Sequence, residues 1–125
     1  MERYGLIGYP LEHSFSKSYF EEKFLRENRT GVSYENYPIS TIEDFPNLCQ
    51  SVNNLKGLNV TIPYKEQVIK YLDALSNDAR AIGAVNTICF CRRSGMLALV
   101  GHNTDTTGFE KSLLENLSEL PPKAL

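Results

Sequence analysis

The residues of this chain that can do chemistry fall into four short clusters. His13-Ser14-Phe15-Ser16-Lys17 presents two hydroxyls, Ser14 and Ser16, on one side of a segment leading into a helix start. Backbone N–H groups at such a place suit a carboxylate. The same serines would serve as ordinary helix caps, and Ser18 with Glu21 fits a capping box. Asn59-Val60-Thr61-Ile62-Pro63-Tyr64-Lys65 sets Asn59 and Thr61 on one face of a strand, with Lys65 in the first turn of the next helix. A cation is disfavoured there by about 0.3–1 kcal/mol. Lys65 is then either a solvated surface lysine or an ammonium placed for a purpose. Gly83-Ala84-Val85-Asn86-Thr87 and Gly101-His102-Asn103-Thr104-Asp105 bring an amide and a carboxylate to the start of one hairpin strand and just past the end of its partner. Asp105 also reads as a plain helix cap. Where amide, hydroxyl, ammonium and carboxylate converge, the fitting ligand is a small polyhydroxylated acid rather than a protein or a nucleic acid.

The elements that must position these groups follow from apolar spacing. Tyr4 to Tyr9 is a short apolar run ended by Pro10 and predicts a strand buried on both faces. Phe15 to Asn28 has helical spacing, Val32 to Ile39 alternates as a half-exposed strand, and Thr41 to Val52 reads as a second helix. Gly57 to Ile62 predicts a strand ended by Pro63, and Tyr64 to Leu72 a helix. A short helical piece at Asn77 to Ala81 precedes a hairpin of Val85 to Cys91 and Met96 to Val100, turning at Arg92 to Gly95. A last helix is expected at about Thr106 to Leu117, stopped by Pro121-Pro122. This order predicts an α/β fold, a three-layer sandwich with a mixed, mainly parallel sheet, an antiparallel hairpin and helices on both faces. Sites in such sheets collect outside the carboxyl ends of the strands, where three of the four clusters begin.

Composition narrows the classes further. The 125 residues allow one compact domain, and 42% hydrophobic with 22% charged residues is a globular balance. A net charge of -2 offers no basic face for nucleic acid or a membrane surface. No apolar run approaches the ~20 residues of a membrane span, and the start lacks a secretory pattern, so a cytoplasmic setting is expected. Cys49, Cys89 and Cys91 are expected to be reduced, packed thiols, and no metal site is expected.

Taken in order, Ser14-Phe15-Ser16, Asn59 to Lys65, Gly83 to Thr87 and Asn103-Thr104-Asp105 with Gly108-Phe109 resemble the successive motifs of the shikimate dehydrogenase family. The resemblance implies the amino-terminal substrate-binding domain of an enzyme that reduces 3-dehydroshikimate to shikimate with NADPH, on the way to chorismate and the aromatic amino acids. It implies that Ser14 and Ser16 hold the substrate carboxylate and that Thr61, Lys65, Asn86 and Asp105 bind the ring hydroxyls. It further implies that Lys65 and Asp105 form the catalytic pair. A lysine ordinarily holds its proton at neutral pH and a neighbouring carboxylate tightens that hold, so the pair suits proton delivery to a developing alkoxide. Which of the two transfers the proton is open.

The chain departs from the family pattern at Lys17, where the family usually has proline; a lysine there could bring a cation near the carboxylate. No Gly-rich dinucleotide fingerprint occurs in the chain. Residues 1–118 are therefore expected to form the substrate-binding domain, and residues 119–125 a linker and the start of a Rossmann domain that holds the NADP. Alone, the 125 residues are expected to bind shikimate weakly and to be inactive. A quinate/shikimate dehydrogenase domain and a non-catalytic shikimate-binding module are the neighbouring readings. Surface otherwise covered by a second domain leaves room for a homo-oligomer.

Overall fold

A computed structural model describes residues 1–11 and 16–104. A six-stranded mixed sheet forms the middle layer, in the order β2-β1-β3-β5-β6-β4. The strands are β1 (Glu2–Gly8), β2 (Val32–Pro38), β3 (Leu55–Val60), β4 (Ala74–Leu75), β5 (Thr87–Arg93) and β6 (Met96–His102). The helices are α1 (Ser16–Arg26), α2 (Phe45–Ser51) and α3 (Asn77–Ile82), with 3-10 segments at Ile42–Asp44 and Gln67–Tyr71. The α/β class, the mixed sheet and the helical layers are as the sequence predicts.

β1 pairs in parallel with β2 on one side and β3 on the other, while β5 runs antiparallel to both β3 and β6. The chain leaves β1 toward β2 and then returns across it to β3. The order therefore reverses beside β1, and the crevice outside the carboxyl ends of β1 and β3 is the topological switch point.

Each face of the sheet buries its own apolar cluster. On one face Phe20 and Phe24, one helical turn apart on α1, pack on Tyr4, Leu6 and Tyr34. The Phe20 and Tyr34 rings stack at 4.6 Å and 16°. On the other face Ile7, Leu58, Val60, Ile88 and Phe90 meet Phe45, Val68 and Ala79 from the opposite helical layer. Residues directly opposite in register share a face, and on the α1 side they fall into rows. One row, Tyr34, Tyr4, Gly57, Cys89 and Val100, is dominated by apolar and aromatic groups. The next row toward the carboxyl end of β1 is mostly polar, with Asn36, Asn59, Thr87 and His102 beside the apolar Leu6.

Several boundaries differ from the sequence expectation for local reasons. Thr41 to Val52 is broken into a 3-10 turn capped by Thr41 and then α2, because Pro46 sits in the first turn of α2 and cannot continue an earlier helix. The segment from Tyr64 to Leu72 is a 3-10 segment over Gln67–Tyr71 rather than an α-helix. Two β-branched neighbours, Val68 and Ile69, and fewer than two α-turns of length give α-type bonding little advantage. Ser18 is the third residue of α1, too far inside to cap it. The hairpin strands extend to Arg93 and from Met96, leaving a turn at Ser94 and Gly95, both at positive φ. The two-residue β4 has no counterpart among the predicted strands; Asp73 N and Ser76 N donate to Leu99 O and Gly101 O on β6, which holds it at the sheet edge. The expected helix at 106–117 and the segment 119–125 lie outside the described residues.

Candidate functional site

The switch point is built by chain turns whose backbones are fixed from several sides. After β3, Thr61 N donates to Ile7 O at 2.9 Å and Thr61 O accepts from Tyr64 N at 3.1 Å. Buried Tyr64 donates its phenol to Ile39 O at 2.5 Å, pinning the turn to the core. Val85 N donates to Lys65 O at 2.8 Å, which ties the Lys65 backbone to the segment entering β5. The Lys65 side chain is exposed and makes no ion pair with any described residue. Lys65 precedes the 3-10 segment by two residues and so does not occupy the first helical turn expected for it.

Gly8 makes this assembly compact. A Cβ at Gly8 would stand 2.4 Å from Thr61 Cγ2, so only glycine lets the end of β1 lie against Thr61. On the other side, Val60 N donates to Asn86 O at 2.9 Å and Asn86 N to His102 O at 3.0 Å. Asn86 is thereby fixed between β3 and β6, as the expected meeting of the hairpin's two ends requires.

The Asn86 amide is oriented as well as placed. Its Oδ1 accepts from Thr104 N (3.0 Å), Thr104 Oγ1 (3.2 Å) and Thr87 Oγ1 (3.1 Å). With the carbonyl saturated, Nδ2 is the part of the amide with no partner among the described residues, a donor suited to a hydroxyl oxygen. Asn103 Nδ2 donates to Ala84 O at 3.1 Å and closes the loop above it.

Ser16, the first residue of α1, hydrogen-bonds through its side chain to Tyr34. The Tyr34 hydroxyl also accepts from Asn59 Nδ2 at 2.6 Å. Asn59 is 1% exposed, and its Oδ1 has no partner among the described residues, as is also true of Asn36 Oδ1 and His102 Nε2. These three buried, unsatisfied atoms all belong to the polar row. Buried polar atoms are ordinarily paired, so this row is the part of the described sheet with the largest concentration of unmet polar atoms. Burial raises the Tyr34 pKa and lowers that of His102, so Tyr34 keeps its proton and His102 is uncharged at neutral pH.

The structure thus gathers Ser16, Thr61, Lys65 and Asn86 on the elements bordering one crevice. Ser14 and Asp105 lie outside the described residues. Lys17 corrects an expectation: its ammonium lies 2.7 Å from Glu35 and 3.4 Å from Glu21, and the hydrogen bond to Glu35 raises its pKa. It is committed to β2 and to α1 itself, with its charge already paired. Tyr34, Thr87 and His102 enter the site through strand register, which single-sequence spacing does not reveal.

A hollow of about 380 Å³ lies beside the site, lined by Ile62, Pro63, Lys65, Glu66, Gln67 and Ala84. It includes neither Thr61 nor Asn86 and is a neighbour of the crevice rather than the crevice itself. Among the described residues no cluster of His, Cys, Asp and Glu could hold a metal ion, and no helix is long and apolar enough to cross a membrane.

The fold defines an α/β unit with polar residues gathered at the carboxyl ends of β1 and β3. Residues 6–88 match the family model described as the shikimate dehydrogenase substrate binding domain, and the chain belongs to that family. It is 41% identical over 124 residues to the shikimate dehydrogenase (NADP(+)) of Carboxydothermus hydrogenoformans, covering 95% of this chain and 41% of that one. Shikimate dehydrogenase 1 of Peptoclostridium difficile superposes with a TM-score of 0.73 at 40% identity, over 88% of this chain and 40% of that one. The Listeria monocytogenes shikimate 5-dehydrogenase, solved in complex with shikimate and NAD, gives 0.72 at 35% identity over 92% and 38%. The chain spans about two fifths of the length of these relatives.

Proposed function

We propose that this chain binds shikimate and 3-dehydroshikimate as the substrate-binding unit, residues 1–118, of a cytoplasmic NADP-dependent shikimate dehydrogenase. The orientation of Asn86 carries the reading: a saturated carbonyl leaves one amide donor toward a crevice that also receives Thr61 and Lys65. In this reading Ser14 and Ser16 hold the carboxylate, and Thr61, Asn86 and Asp105 hold the ring hydroxyls. Lys65 and Asp105 form the catalytic pair, with the proton for the developing alkoxide kept at Lys65 Nζ and the carboxylate orienting it.

A nicotinamide cofactor would supply the hydride, but the described residues do not fit one. The β1 to α1 connection opens with Tyr9-Pro10-Leu11, where a pyrophosphate needs a glycine-rich turn against a helix start. The reading therefore assigns cofactor binding to another part of the protein, and to these residues substrate recognition and proton handling.

Calorimetric titration with shikimate and with quinate tests the reading. Shikimate is expected to bind, quinate more weakly, and Lys65→Ala to lose about tenfold in affinity, or ~1.4 kcal/mol. Equal affinity for quinate would favour a dual-specificity domain, and indifference to Lys65→Ala would remove Lys65 from the site.

A further inference from the structure

Three donors converge on one oxygen of Asn86: Thr104 N lies 3.0 Å from Oδ1, Thr104 Oγ1 3.2 Å and Thr87 Oγ1 3.1 Å. A backbone N–H can only donate, so Thr104 N by itself fixes which end of the amide is the carbonyl. The two hydroxyls then fill what capacity an oxygen with two lone pairs has left. Thr87 is fully buried on β5 between Asn59 of β3 and His102 of β6, so bulk water does not compete for its hydroxyl. Asn86 also stands between the members of the proposed catalytic pair. Val85, its neighbour, donates its N–H to Lys65 O, and Thr104, which Asn86 holds, is the residue before Asp105. The ligand oxygen that faces Asn86 is therefore the one that Lys65 and Asp105 serve.

We propose that Thr87 and Thr104 are positioning residues that hold Asn86 as a donor only, so that one amide receives the reacting oxygen of the ligand both as a ketone and as an alcohol. A ketone oxygen accepts and cannot donate, whereas a hydroxyl does either. An amide free to flip would offer Nδ2 or Oδ1. A hydroxyl would answer both, while a ketone would meet a lone pair whenever Oδ1 turned outward. Keeping Oδ1 engaged removes that orientation, and at this atom the site then treats the two oxidation states of its ligand alike.

This inference rests on the shikimate-binding reading, and calorimetric titration of the 125-residue chain with shikimate, the alcohol, and 3-dehydroshikimate, the ketone, tests it. The double change Thr87→Val with Thr104→Val removes both hydroxyl donors and keeps the side-chain shape. Affinity for the ketone is expected to fall about fivefold, the scale of one neutral hydrogen bond, and for the alcohol less than about twofold. Thr87→Ser with Thr104→Ser returns the hydroxyls and is expected to keep the wild-type ratio of the two affinities. Asn86→Asp keeps the shape and all three donors but turns the outward atom into an acceptor. Its added charge acts on both ligands alike, and it is expected to lower the ketone-to-alcohol affinity ratio about tenfold. Asn86→Asp decides the matter if the valine variant does not fold. Equal losses for ketone and alcohol in a folded valine variant, or an unchanged ratio in Asn86→Asp, would overturn the inference. Binding of both ligands by the wild-type chain and its loss in Lys65→Ala would then leave the shikimate reading standing; a wild-type chain that binds neither ligand would overturn both.

Discussion

Burial sets the behaviour of single side chains here, and two can be checked directly. Desolvation pushes the Cys49 and Cys89 thiols up to about 12 and raises Cys91 as well. All three therefore stay as thiols at neutral pH, and iodoacetamide is expected to modify the native chain far more slowly than the urea-unfolded one; rapid labelling of Cys89 in the native chain would contradict this. His102 has a pKa below its ordinary 6.5 because its ring is desolvated. The unfolded chain consequently takes up a proton first as the pH falls. The His102 contribution to stability is therefore flat above 6.5 and is lost below it. The urea midpoint is expected to drop between about pH 7.5 and about pH 5.5, and to drop less in His102→Gln. That Ser16, Thr61, Lys65 and Asn86 stand at the ends of elements was legible in the sequence, because strand ends and helix starts are written in local spacing and in the placement of Pro and Gly. Tyr34 was not, since a tyrosine in an alternating strand reads as core until register sets its hydroxyl beside Asn59 and Ser16.

At the scale of elements, what matters is how closely the end of β1 approaches the turn after β3. Gly8→Ala would drive a methyl group into Thr61 Cγ2. The change is expected to cost about 1–3 kcal/mol of stability and to weaken shikimate binding by displacing Thr61, measured by urea denaturation and calorimetry; unchanged values for both would show that the turn tolerates the shift. β1, β2, β3, α1 and the hairpin were readable from apolar periodicity and the placement of Pro and Gly. The 3-10 segment at Gln67–Tyr71 was not, because Tyr64 and Val68 share one face in an α-helical reading, and Val68 N does bond Tyr64 O while its neighbours close i to i−3 bonds. β4 was equally hidden: two residues show no period, and their strand character comes from bonds to β6.

For the whole molecule, the sheet order explains why clusters far apart in sequence meet. The reversal beside β1 brings Ser16, Thr61 and Lys65 to one crevice, and the antiparallel β5 and β6 return Asn86 and Thr104 to it. The sequence order of strands and helices predicted the sheet's mixed character, but the adjacency of β5 to β3 that delivers Asn86 is a tertiary fact. Because the proposed reading assigns cofactor binding to another part of the protein, it predicts that the purified 125 residues oxidise no NADPH with 3-dehydroshikimate above background. The most direct test of the central claim is a backbone-resolved NMR titration of the chain with shikimate. Saturable shifts are predicted at Ser16, Thr61, Lys65, Asn86 and Thr104, with the distal hairpin turn at Ser94 and Gly95 unmoved. Absence of saturable shifts, or shifts centred away from the β1 and β3 carboxyl ends, would contradict the account.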